Sequence, residues 1–135
     1  MCVQYAALPY RQKGNFSTEV LLVTSRRSGR WIIPKGWPVK GKAPHKAAAR
    51  EAHEEAGVIG KINRCAIGSY SYKKRLKSGS VIVWVKVFAL QVKRQDESWP
   101  EKGEREVKWM SRTRAANTVR DRGLGAIIRA LPKWH

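Results

Sequence analysis

At 135 residues the chain has room for one domain with one sizeable core, and no second domain is expected. Twenty-eight lysines and arginines against ten acids leave a net charge of +18, which calls for an anionic partner: nucleic acid, an acidic membrane surface or a densely phosphorylated small molecule. No apolar run reaches the length of a membrane span. The N-terminus lacks a basic region followed by an apolar one, and Cys2 and Cys65 have neither pairing nor metal spacing. These features are those of a cytoplasmic protein with reduced thiols, no secretory signal and no membrane segment.

In chain order, Val3 to Tyr10 reads as a first strand and Glu19 to Thr24 as a second, joined through the turn residues Arg11 to Asn15. A Ser-Arg-Arg turn leads into a short apolar strand, Trp31 to Ile33. Pro34, Gly36, Pro38 and Gly41 make residues 34–43 an irregular loop. A helix is expected from Pro44 to Ala56, with proline in its first turn and Gly57 in the left-handed position after its last. Ile62 to Tyr72 reads as a bent strand and Lys73 to Gly79 as a basic hairpin loop. Ser80 to Val92, rich in valine, is a strand expected to be buried on both faces. A polar loop, Lys93 to Arg105, holds four of the ten acids. A last strand, Val107 to Met110, and two helices, Thr113 to Val119 and Leu124 to Leu131, complete the chain. Composition and element order leave several α/β and α+β folds open.

The informative segment is Arg50-Glu51-Ala52-His53-Glu54-Glu55-Ala56-Gly57-Val58. Between Val20 and Gln95 its three glutamates are the only acids. At about 100° per residue, they share an arc of roughly 100° on one helix face. Glu51 and Glu55 form a like-charge i, i+4 pair, which costs about 0.2–0.5 kcal/mol, and two of the three sit at the negative end of the helix dipole. A divalent cation offsets that cost, magnesium being a hard ion that takes carboxylate, water and phosphate oxygens.

Upstream, Gly36 is followed by five residues, Lys42, seven more residues and then the acidic segment. The pattern resembles the Nudix box, G-x5-E-x7-R-E-U-x-E-E-x-G-U with U apolar, with Lys42 in place of the first glutamate. The lead-in Arg30-Trp31-Ile32-Ile33-Pro34-Lys35-Gly36 is also similar to that family. The resemblance implies an α/β/α sandwich with a mixed central sheet and the box as a loop-helix-loop on one side. It implies Glu51, Glu54 and Glu55 as ligands of magnesium (or manganese), one of them doubling as a base. Arg50 would orient a glutamate, while Gly36 and Gly57 shape the flanking loops. The activity implied is pyrophosphate hydrolysis, with the metal neutralising phosphate oxygens and activating water. A lysine at position 42 cannot bind the metal, which makes Glu101, Glu104 and Glu106 candidate replacements.

Candidate phosphate-binding residues are Arg11, Arg26, Arg27, Arg30, Lys35 and Gly36 before the helix, joined by Lys74 and Arg75 in the basic loop. This layout resembles the branch that hydrolyses diphosphoinositol polyphosphates and diadenosine polyphosphates, so a small polyphosphorylated substrate is the expected partner. Nucleic acid is the secondary partner class. Trp31 is read as core and Trp37 as equally suited to stacking on a base, while His45 and His53 flank the acids with His53 facing outward. The alternatives are removal of pyrophosphate from RNA 5′ ends, a Nudix-fold ligand binder with weakened catalysis, and a nucleic-acid binder that needs no metal.

Overall fold

The computed structural model describes residues 2–14 and 17–131. Eight strands form one mixed sheet: β1 (Cys2–Lys13), β2 (Ser17–Thr24), β3 (Trp31–Ile32), β4 (Lys35–Gly36), β5 (Val58–Ile62), β6 (Gly68–Leu76), β7 (Gly79–Gln95) and β8 (Val107–Ser111). Helix α1 (Pro44–Ala56) follows β4, while α2 (Arg112–Thr118) and α3 (Arg122–Arg129) close the chain. β1 runs parallel to β7, from Cys2 beside Val83 to Tyr10 beside Gln91, and every other pairing is antiparallel. The architecture is the α/β/α sandwich expected from the sequence.

Two cores follow from strand alternation, since successive side chains point to opposite faces. Leu8, Val20, Leu22, Val83, Val85 and Val87 pack against Ala115, Leu124 and Ile128 of α2 and α3. On the other face, Ala7, Leu21, Val23, Phe88 and Leu90 meet Ala48, Ala52 and Ala56 of α1. The alanine stripe is what lets α1 lie close to the sheet and brings its glutamates to the sheet edge.

Helix α1 occupies the residues expected for it. Its end is fixed by Gly57, whose φ of 73° is the left-handed region and whose N–H donates to the His53 carbonyl at 2.9 Å. A Cβ at Gly57 would also collide with the Trp99 ring.

Several boundaries differ from expectation. β1 runs on through Lys13, because Arg11 to Lys13 pair with Ser17 to Glu19 instead of forming a loop; Asn15 lies outside the described residues. Lys35 and Gly36 form a short strand against Tyr5 and Ala6 within the segment read as irregular. The bent strand is two strands, β5 and β6. Lys73, Lys74 and Arg75 belong to β6, paired with Ile82, Val81 and Ser80, so only the turn at its end is loop. β7 is buried on both faces only from Val87 to Leu90. Before that it alternates, because α1 covers just the latter half of its outer face.

Candidate functional site

Gly36 and Glu51 meet where β4 passes beneath α1. A Cβ on Gly36 would fall 2.5 Å and 2.8 Å from the two Glu51 carboxylate oxygens, so glycine is what gives this carboxylate its place. One turn on, Glu55 is buried at 2% exposure and accepts the Lys35 backbone N–H at 3.3 Å. Glu51 and Glu55 share a side-chain hydrogen bond, in which the protonated Glu55 donates. Burial, with the neighbouring Glu51 and Glu101 charges, pushes the Glu55 carboxyl up to about 8 against the pull of Arg105. Glu51 is raised too, first by burial and then by the Glu54 charge.

The third box glutamate has a different partner. Glu54 accepts from Arg50 Nε at 2.8 Å. Its backbone carbonyl accepts the N–H of Glu101, which ties the loop between β7 and β8 to the helix. Through that loop come two residues with no signal in the box itself. Arg105 lies 3.7 Å from Glu55 and 3.0 Å from Glu101, and also donates to the Thr24 carbonyl at 3.0 Å. Glu101 in turn is 3.9 Å from Arg26, whose closer partner is Glu104 at 2.9 Å. Lys42 is half-buried, and no ion pair reaches it among the described residues. Glu106 faces solvent at the start of β8, where its N–H donates to Thr24 Oγ1 at 2.9 Å.

Two adjoining cavities open here, the first of them beside Glu55. One, of about 160 Å³, is lined by Arg26, Arg27, Lys35, Glu55 and Arg105. The second, of about 210 Å³, shares Ser25, Arg27, Ile32 and Lys35 with the first and adds Ser28, Arg30, Tyr72, Lys73, Lys74, Arg75 and one acid, Asp121. Lys35 thus stands between them. Its ammonium donates to Gln4 Oε1 and to Tyr72 Oη, both at 3.1 Å, and burial lowers it to about 8. Lys74 sits 5.2 Å from the centre of the Trp37 ring at the outer rim. Trp37 is exposed, while Trp31 packs against the core.

Of the expected phosphate-binding residues, Arg26, Arg27, Arg30, Lys35, Lys74 and Arg75 line these cavities, with Gly36 beneath Glu51. Arg11 does not. It lies near the far end of β1, paired with Glu19 at 2.9 Å and stacked 3.9 Å over the Trp109 ring. The run Arg11 to Lys13 reads as a basic loop in sequence, and strand pairing with Glu19 carries it away from the site. His53 pairs with Asp96 at 3.1 Å on the side of α1 away from Glu51. Tyr72, Gln4 and Arg105 were not singled out from sequence, because their roles depend on strand register.

The carboxylates suit a divalent cation. Buried Glu55 and half-buried Glu51 lie against each other, and a hard cation there would offset the burial and like charge that raise both carboxyls. Among the described residues, no three carboxylates already converge at metal-holding distance, since Glu54 is engaged by Arg50.

The NUDIX domain model matches residues 3–131. The chain belongs to the Nudix family. Among curated Nudix proteins it is 36% identical over 116 residues to Nudix hydrolase 21, chloroplastic, of Arabidopsis thaliana, covering 84% of this chain and 55% of that protein. It is 39% identical over 84 residues to diphosphoinositol polyphosphate phosphohydrolase 3-alpha of Mus musculus, covering 62% of this chain and 48% of that protein. The chain therefore spans about half the length of these two relatives. In fold it is similar to the C. elegans Ap4A hydrolase, with a TM-score of 0.66 at 20% identity, covering 95% of this chain and 93% of that one.

Proposed function

We propose that this Nudix protein hydrolyses a diphosphate linkage in a small, phosphate-rich substrate, of the diphosphoinositol polyphosphate or diadenosine polyphosphate class. The observation that carries this reading is the adjoining pair of cavities: Glu55 and Arg105 line one, Arg30, Lys74 and Arg75 line the other, and Arg27 and Lys35 line both. The 39% identity to a diphosphoinositol polyphosphate phosphohydrolase points to the same substrate class.

Glu51 and Glu55 would hold magnesium, with Glu54 or Glu101 completing the set. Bound there, the ion supplies charge neutralisation at the pyrophosphate and a lowered water pKa. Arginines clamp phosphate oxygens bidentately, and Lys35 places a point charge where the two cavities join. Arg105 holds Glu55 and Glu101 in register, and a carboxylate of this group accepts the proton of the attacking water. Phosphoryl chemistry asks little more of a protein than such positioning and charge. Lys42 favours a second reading, a ligand binder with weakened catalysis, since it removes one family carboxylate.

The test is product release from a panel of a diphosphoinositol polyphosphate, a diadenosine polyphosphate, a nucleoside triphosphate and a 5′-triphosphorylated RNA, with and without magnesium. Metal-dependent cleavage concentrated on the most phosphorylated members supports the proposal. Tight binding without cleavage of any member supports the second reading.

A further inference from the structure

The outer face of the β6–β7 hairpin carries an uncovered stripe. Alternation places Ile82, Trp84, Lys86, Phe88 and Leu90 on one side of β7. Helix α1 seals Phe88 and Leu90, whereas Ile82 and Trp84 are left 49% and 44% exposed. Across the ladder, Ser69 stands opposite Lys86, Ser71 opposite Trp84, Lys73 opposite Ile82 and Arg75 opposite Ser80. The result is an exposed indole and an isoleucine on the ribbon, with Lys73, Arg75 and Lys86, all exposed, around them. From Ala56 to Gln95 the sequence has no acid and nine basic residues. Lys73 and Arg75 also reach the second cavity, whereas Ile82, Trp84 and Lys86 line neither cavity and have no part in the site described above.

We propose that this ribbon is a docking surface for single-stranded nucleic acid, a function separate from the hydrolytic site. Charge complementarity selects the occupant. A strand of nucleic acid offers phosphates for the lysines and arginine, and an unpaired base offers the π-face that an exposed tryptophan stacks on. An open sheet face presenting an aromatic among cations is a known physical solution to that task. A protein partner burying Ile82 and Trp84 would have to be acidic throughout to tolerate the surrounding charge.

The experiment is fluorescence anisotropy with a labelled 10-nucleotide oligouridylate and its deoxy counterpart, titrated with the full chain in chelator at several salt concentrations. Trp84→Ala should weaken binding roughly 10- to 100-fold, and Trp84→Phe should retain most of it. Lys86→Glu should also weaken binding, and Lys86→Ala should reduce the slope of log affinity against log salt by about 0.7. Neither Trp84→Ala nor Lys86→Ala should change kcat/KM on the small polyphosphorylated substrate. Wild-type oligonucleotide affinity in both Trp84→Ala and Lys86→Glu would overturn the proposal. So would a dimer in sedimentation that Trp84→Ala converts to monomer, since the ribbon would then be covered by a second copy. Because binding is measured without metal, its failure would leave the hydrolytic reading standing, and the reverse holds as well.

Discussion

Replacing Gly36 by alanine separates stability from chemistry in this protein. The glycine φ lies outside the left-handed region, so the backbone accepts alanine without strain. The added methyl would lie 2.5 Å and 2.8 Å from the Glu51 carboxylate oxygens, where ordinary contact begins near 3.4 Å. The carboxylate must therefore retreat by roughly 1 Å. Its side chain is long and can swing, so the fold should lose little; any cost is partly offset by the ~0.4–1 kcal/mol that alanine gains through the unfolded state. Chemistry should suffer more, because a displacement of about 1 Å at a reacting centre costs on the order of 100-fold, or ~2.7 kcal/mol of transition-state stabilisation. The expected outcome is a kcat/KM for magnesium-dependent phosphate release down about 100-fold, with Tm within about 5 °C of wild type. Wild-type kcat/KM in a folded Gly36→Ala protein would refute the placement of Glu51 in the reaction. A collapse of Tm would refute the claim that only a mobile carboxylate fills the space.

The raised pKa of Glu55 makes the metal-free protein pH-sensitive. The folded group holds its proton up to about 8 while the unfolded one loses it near 4.5, so the native state binds more protons in that window and stability falls as pH rises through it. Glu55→Gln in chelator should flatten this decline in a series of thermal melts, and an unchanged slope would point to another group. Lys35, lowered to about 8 by burial, is charged below that pH and neutral above it. The KM of the wild type should accordingly climb as pH passes through about 8. Lys35→Gln should raise KM by roughly 10- to 100-fold at pH 7 and remove the climb. Arg11→Ala, distant from the cavities, should leave kcat/KM within about twofold, as steady-state kinetics on the same substrate will show.

The box helix was legible because its signals are local: Pro44, the alanine stripe, Gly57 and glutamates at helical spacing all lie within one segment. The same holds for the cations before it, since the turn that carries Arg26, Arg27 and Arg30 ends close to where β4 begins. What the sequence concealed depends on register between distant strands. Lys74 and Arg75 read as a hairpin loop because runs of lysine and arginine mimic loop composition, although β6 continues through them as far as Leu76. Arg11 looked like part of the same basic frame until its pairing with Glu19 placed it elsewhere. Arg105 gave no signal at all, an arginine in a polar loop of mixed charge, yet the loop folds back on α1 through the Glu101 N–H and delivers it to Glu55. Tyr72 and Gln4 meet Lys35 only because β1 lies between β4 and β7, with β6 beyond.

On the proposed function, buried Glu55 and its neighbours on α1 carry the metal-dependent cleavage of a phosphate-rich substrate. Its most direct test is phosphate release from a diphosphoinositol polyphosphate across a magnesium titration, run in parallel on wild type and Glu55→Gln. Turnover should be absent in chelator and saturate with magnesium, and Glu55→Gln should lose roughly 100-fold or more without loss of fold. Turnover that ignores magnesium, or wild-type rates in Glu55→Gln, would contradict the proposed function.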